Sequence, residues 1–287
     1  REFVMKLQVV SAGVLASVVC LFSTLALAQQ ELSQRDDPEF QRVEPFQVFD
    51  NLYYVGAQWV SAWVLETDQG LILFDALYGD LTDIAIDGIR ELGMDPDDIR
   101  YVVVTHAHYD HIGGARRIQE EFGATMLMTQ EDWDMAEGEP IYQAYPKPVK
   151  HLVAADGATL RLGRTFMTFF HTPGHTPGVL SIRFTVYDQG YPHTAFMFGG
   201  VGLNFSGVER TQMYIDSVKR LMTMDDIEVN VPNHAGSGQV FERNIQLLQR
   251  RASQPHPFVD PEGFKSWLAE LLFNAEAKLA DEQAAAR

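Results

Sequence analysis

From Phe46 onward the chain alternates short apolar runs with turn-forming residues. FQVF, LYYVG, WVSAWVLE and GLILFD are separated at Asp50, Asn51, Asp68 and Gly70, the punctuation of an antiparallel meander. DLTDIAIDGIRELG then sets Leu81, Ile84, Ala85, Gly88, Ile89 and Leu92 at helical spacing and stops at Gly93, a residue suited to a helix C-terminus. RYVVVT is apolar without alternation, which predicts a strand covered on both faces. A helix over GGARRIQEEFG, a strand over ATMLM and an acidic helix from Gln130 follow. The second half repeats this order more loosely, with strands near 159–162, 165–171, 179–186 and 194–198, then helices from Glu209 and Gln239. In the last segment Phe264, Trp267, Leu268, Leu271, Leu272 and Ala275 share one helical face. That face is expected to pack on its own domain, with a homodimer contact as the alternative. Nothing marks a linker, so residues 46–287 are expected to form a single α/β domain behind a polar arm at 29–45.

The N-terminal residues have a different character. REF at 1–3 precedes Met5 and reads as a foreign addition ahead of the natural start. Lys6, an apolar stretch over 9–27 and ALAQQ have the form of an export signal cleaved after Ala28, with a membrane anchor as the competing reading. The expected location is periplasmic or secreted, with no stable membrane association after cleavage. The one cysteine, Cys20, would leave with the signal. The remaining chain would then have neither a disulfide nor a thiolate ligand, and would rely on its core or on bound metal for stability.

The net charge of −17 becomes one unit more negative once Arg1, Glu2 and Lys6 are removed. Such a surface disfavours non-specific binding to nucleic acid or anionic membrane and counts against a nuclease. A small-molecule substrate fits better.

The chemistry is concentrated in THAHYDHIGG at 105–114, which holds three of the nine histidines in the chain. It follows directly on RYVVVT, the strand end where open α/β sheets place their sites. In an extended segment His106, His108 and Asp110 point the same way, so the spacing suits a loop better than a metal-binding helix. Gly113 and Gly114 permit a tight turn into the next helix. Imidazoles and a carboxylate at a strand end suit zinc, bound at about 2.0–2.2 Å. Further ligands are available in His175 of FFHTPGHTPG and His234 of VNVPNHAG, each after a strand-like run and among glycines and prolines that make rigid loops. The other histidines, His151, His171, His193 and His256, read as surface or loop residues, His171 being the one nearest the second motif.

THAHYDHIGG, HTPGHTPG and PNHAG, in that order and preceded by the meander from Asn51 to Asp80, resemble the metallo-β-lactamase superfamily over about 46–241. The resemblance implies a four-layer αββα sandwich with two mixed β-sheets and two zinc ions per chain. His106, His108 and His175 would hold the first ion, and Asp110, His111 and His234 the second. It also implies hydrolysis, with water ionised by zinc attacking a carbonyl carbon and Asp110 serving as ligand and proton handler. Many relatives carry a bridging aspartate where Gly200 stands here. Its absence, and that of cysteine, makes the chain most similar to the cysteine-free dizinc subclass of metallo-β-lactamases. That subclass usually has a serine at this position; Asn204 and Ser206 are candidates to replace it in substrate binding. Trp59 is a further candidate substrate contact, and both Trp59 and Trp63 can be read as an aromatic lid or as core residues. Tyr109 must face away if its neighbours face a metal. The implied activity is an exported zinc hydrolase, first of a β-lactam amide. The alternatives are a lactonase, esterase or other small-molecule hydrolase on the same scaffold, or a catalytically silent metal-binding protein.

Overall fold

A computed structural model describes residues 34–138 and 144–287. The expected signal segment at 1–28, and the first part of the arm, lie outside the described residues. Contacts divide the chain into Arg1–Gln41 and Arg42–Arg287. In the first unit a helical turn at Pro38–Gln41 is described, with the Gln41 amide donating to the Gln34 carbonyl at 3.1 Å.

The second unit holds two mixed sheets. β1 (Phe46–Phe49), β2 (Leu52–Tyr54), β3 (Trp63–Thr67) and β4 (Gly70–Phe74) form the antiparallel meander. β5 (Ile99–Val103), β6 (Thr125–Met128) and β7 (Leu152–Val153) extend the same sheet in parallel. β8 (Thr159–Leu162), β9 (Thr165–His171), β10 (Leu180–Asp188) and β11 (Tyr191–Met197) make a second antiparallel run. β12 (Val229–Asn230) joins β11 in parallel.

Alternation along the strands explains the layering. Ile72, Phe74, Val103 and Leu127 of the first sheet face Phe169, Ile182, Phe184, Ala195 and Met197 of the second, a core shut between the two sheets. Their neighbours Leu71, Leu73, Val102, Val104, Met126 and Met128 point the other way. They are covered by α1 (Thr82–Glu91), the one-turn α2 (Tyr109–Ile112), α3 (Ala115–Phe122) and α4 (Gln130–Gly138). This is why RYVVVT shows no polar face: both of its sides are interior. On the second sheet Phe196 and Phe198 turn outward beneath α5 (Val208–Leu221) and α7 (Pro261–Ala285). α6 (Val240–Leu248) contributes Val240 to the inter-sheet core. The result is a four-layer αββα sandwich.

The face of α7 marked in the sequence packs within its own unit, with Phe264, Leu268 and Ala275 buried against Tyr214, Ile215 and Val218. Two expectations need correction. WVSAWVLE is not one strand, because Val60 pairs in a single bridge with His234 and the regular strand starts only at Trp63. The other concerns His256, which lies in a loop as read but not at the surface: it is buried, stacks on Phe49 at 4.1 Å, and its Nε2 bonds the Val48 carbonyl at 2.8 Å. Among the described residues no helix is long and apolar enough to cross a membrane.

Candidate metal centre

Three loops meet at one rim of the sandwich. The first leaves β5, carries His106 and His108, and passes into α2, which bears Asp110 and His111. The second joins β9 to β10 and presents His175; the third follows β12 and presents His234. The decapeptide is therefore not extended throughout. His108 is the last residue with extended backbone, and the helical turn after it sends Asp110 away from the His106–His108 pair.

The six side chains fall into two groups, His106–His108–His175 and Asp110–His111–His234, with the ligand atoms of each group within 4.8 Å of one another. In the first group His106 Nε2 lies 3.1 Å from His108 Nδ1 and 3.1 Å from His175 Nε2, and the last two nitrogens are 2.9 Å apart. In the second, His111 Nε2 lies 3.2 Å from both His234 Nε2 and Asp110 Oδ2, and His234 Nε2 is 3.6 Å from the same carboxylate oxygen. Nitrogens sharing one tetrahedral zinc at about 2.0–2.1 Å stand about 3.3 Å apart. Both groups approach that spacing.

The outer hydrogen bonds fix where the lone pairs point. His175 Nδ1 is 2.7 Å from the Gly202 carbonyl, which can only accept, so Nδ1 carries the proton and Nε2 the lone pair. The Thr105 hydroxyl donates to Asp75 at 2.9 Å, so His106 Nδ1, 3.2 Å from it, is the donor there and His106 Nε2 is bare. His111 Nδ1 is 2.7 Å from Asp75 Oδ2 and His234 Nδ1 is 3.3 Å from the Trp59 carbonyl. In the first group His106 and His175 therefore turn bare Nε2 atoms on one another and on His108 Nδ1, and in the second His234 turns a bare Nε2 on His111. A cation resolves that arrangement, and outer partners of this kind hold metal-bound histidines in place.

Burial reinforces it. Desolvation, with help from neighbouring imidazoles, holds His106 well below its ordinary range. Burial also lowers His108 to about 4, His175 to about 3 and His234 to about 4, which keeps them neutral and ready to ligate. His111 departs from this. Burial opposes its charge, yet Asp110 and Asp75 outweigh burial and push it up to about 10. Asp110 is drawn far below the usual carboxylate range despite burial, because His111, His234 and His108 surround it. Without a cation, the second group holds a proton in its place.

Two residues that the motifs did not mark complete the centre. Asp75, 1% exposed at the end of β4, accepts from the Thr105 amide at 2.7 Å as well as from His111. Its signal was a lone aspartate closing GLILFD, within a strand reading that needed no acid. Asp132, on α4 and fully buried, accepts from the Ala107 amide at 2.8 Å and the Thr176 hydroxyl at 2.7 Å. In the sequence it was hidden among the acids of its helix.

The substrate candidates separate. The Trp59 ring lies 5.2 Å from that of His234, at the rim of the second group. Trp63 is core, 1% exposed, with its indole N–H on the Pro232 carbonyl at 2.9 Å. Asn204 is exposed, and its Oδ1 lies 2.8 Å from the point a side chain on Gly202 would occupy, beside the His175 ring. Ser206 is exposed on the same loop. Tyr109 packs on Tyr78 and Tyr145, at 4.9 and 5.8 Å. At Gly200 a Cβ would stand 2.6 Å from Val179 Cγ2 and 2.8 Å from His175 Cβ, so no side-chain space stands open there. His171 bonds the Pro177 carbonyl, His193 pairs with Glu228 and His151 sits by Gln119; none of the three joins the centre.

Comparison with known proteins agrees with this geometry. Residues 56–188 match the family model of the metallo-beta-lactamase superfamily. The fold is similar to the native FEZ-1 metallo-beta-lactamase of Legionella gormanii, with a TM-score of 0.78 at 25% identity over 85% of this chain and 98% of that one. It is equally similar to BJP-1, a subclass B3 metallo-beta-lactamase of Bradyrhizobium japonicum, at 28% identity over 86% and 97%. A probable metallo-hydrolase of Bacillus subtilis, YqgX, is 23% identical over 67% of this chain and 92% of its own length. The chain belongs to the metallo-beta-lactamase superfamily and is a metallohydrolase.

Proposed function

We propose that the protein is a dizinc hydrolase that opens the amide of a β-lactam-like ring. The observation that carries the metal reading is the pair of triads with converging ligand atoms and ring N–H groups bonded outward to Gly202 and Asp75. A divalent ion in such a site ionises water near neutral pH and polarises a carbonyl oxygen. His106, His108 and His175 would hold one ion, and Asp110, His111 and His234 the other. Asp110 remains a carboxylate, so its role is to ligate and to orient water; a carboxylate held this low is a poor base. Trp59 forms an apolar wall beside His234 for the part of a substrate next to the scissile bond. Asn204 offers an amide at the opposite rim, beside His175.

The β-lactam reading is supported by likeness to FEZ-1 and BJP-1. A lactone or ester substrate is the second reading, favoured by Gly200 and Gly202, which leave the loop next to His175 without side chains to grip a substrate carboxylate. Turnover of a chromogenic cephalosporin and of a homoserine lactone panel, with and without chelator, separates the two. Absence of lactam turnover at every zinc level would remove the first. We further propose export, supported by the leader pattern in the sequence and tested by locating the protein in cell fractions.

A further inference from the structure

We infer that Asp132 and Arg210 are positioning residues of opposite charge that clamp the 174–178 loop and thereby preset the first triad. The inference rests on the metallohydrolase reading and extends it to residues outside the two triads.

The loop needs such a device. Pro173 and Pro177 have no amide hydrogen, and within it the Gly174 amide bonds only across to the Thr176 carbonyl, at 2.9 Å. Gly174, His175, Thr176 and Gly178 are buried, so their remaining polar groups must be paired by neighbours. Asp132 takes the donors: Oδ1 accepts from the Gly178 amide at 2.7 Å, and Oδ2 from the Thr176 hydroxyl at 2.7 Å. The same Oδ2 accepts from the amide of Ala107, the residue between His106 and His108, at 2.8 Å. One oxygen atom thus ties the first motif to the second. Arg210, on α5, takes the acceptors: Nε donates to the Gly174 carbonyl at 2.7 Å and Nη2 to the carbonyl of His175 itself. The guanidinium rests over the Phe205 ring, 4.8 Å from its centroid.

The glycines of the motif are shaped to this clamp. A Cβ on Gly178 would lie 2.6 Å from Asp132 Oδ1 and 2.2 Å from Thr129 Oγ1. A Cβ on Gly174, at φ +142°, would meet the Tyr214 backbone of α5 at 2.6 Å. The two glycines let Asp132 of α4 and Tyr214 of α5 approach the loop closely. Lysine in place of Arg210 keeps the charge but lacks the planar fork that spans two carbonyls.

The test is a zinc titration of the full chain against a chromophoric chelator, repeated with cobalt(II) to read the absorption of each site, on wild type, Asp132→Asn and Arg210→Lys. His175→Ala and His234→Ala assign the two binding steps. The expected result is a loss of about 10–100-fold in affinity at the His106–His108–His175 step, with a smaller loss for Arg210→Lys and an unchanged Asp110–His111–His234 step in both. Wild-type affinity at both steps, or an equal loss at both steps, would overturn the clamp while leaving the metallohydrolase reading intact. A wild-type chain that binds no metal at either step would overturn both. Should Asp132→Asn fail to fold, Arg210→Lys, at a half-buried position, decides alone by the same readouts.

Discussion

His111 Nδ1 stands 2.7 Å from Asp75 Oδ2, with both side chains at most 1% exposed. The pair links β4 to α2 and aims His111 Nε2 at Asp110 and His234. Because the same carboxylate also receives the Thr105 amide and hydroxyl, it supports both triads at once. Asp75→Ala is expected to weaken metal binding by about 10–100-fold and to lower stability by about 3–5 kcal/mol, since buried donors lose a charged acceptor. Metal titration together with denaturant unfolding of the variant checks both outcomes.

Metal entry should release a proton. His111, pushed up to about 10, is protonated at pH 7.5, while His108, His175 and His234 are held low and are neutral. A divalent ion in the second group displaces the His111 proton, so filling both groups releases at least one proton, to which any water ionised by the ions adds. Calorimetric titration in buffers of different ionisation enthalpy counts it. A count near zero would refute the assignment of that charge.

The metal-free protein should lose stability on both sides of neutrality. His106, His108, His175 and His234 have lowered folded values, so the unfolded chain binds more protons as pH falls below about 6.5, and stability declines from there towards pH 4. His111 has the opposite sign. Its contribution is complete below about 6.5 and disappears as pH rises towards 10. A melting-temperature profile of chelated protein should therefore peak near neutral pH, and zinc should flatten its alkaline limb by displacing the His111 proton while leaving the acid limb steep.

Installing the carboxylate that many relatives carry should not create a bridge. Any Cβ at Gly200 meets Val179 and His175 at 2.6 and 2.8 Å, so Gly200→Asp is expected to cost about 1–3 kcal/mol in stability through overpacking. It should also weaken the first metal step by displacing His175. Tighter metal binding with unchanged stability would contradict the packing seen at this position.

Much of this candidate centre was legible in the sequence because its candidate ligands lie where the local pattern is strongest. His106, His108, Asp110 and His111 follow an apolar strand directly, and His175 and His234 are set among glycines and prolines. The strands with clean alternation or continuous burial were equally plain. Less visible were features made by tertiary contact. β7 is a pair of exposed residues, Leu152 and Val153, whose strand character comes only from pairing with β6. The turn at Tyr109–Ile112 contradicts the extended reading because the His108 carbonyl caps it, accepting from the His111 and Ile112 amides at 3.0 and 3.1 Å. Asp75 and Asp132 resemble any acid at a strand end or in a surface helix until folding surrounds them with donors. His256 lies in a loop as read, but nothing in its neighbours announces that Phe49, more than two hundred positions away, will cover it.

The central claim is that six side chains hold two divalent ions. Anomalous diffraction at the zinc edge from crystals of the zinc-loaded protein tests it most directly. Two peaks are expected, one bounded by His106 Nε2, His108 Nδ1 and His175 Nε2, the other by Asp110 Oδ2, His111 Nε2 and His234 Nε2. No peak at either position, or zinc bound elsewhere on the chain, would contradict it.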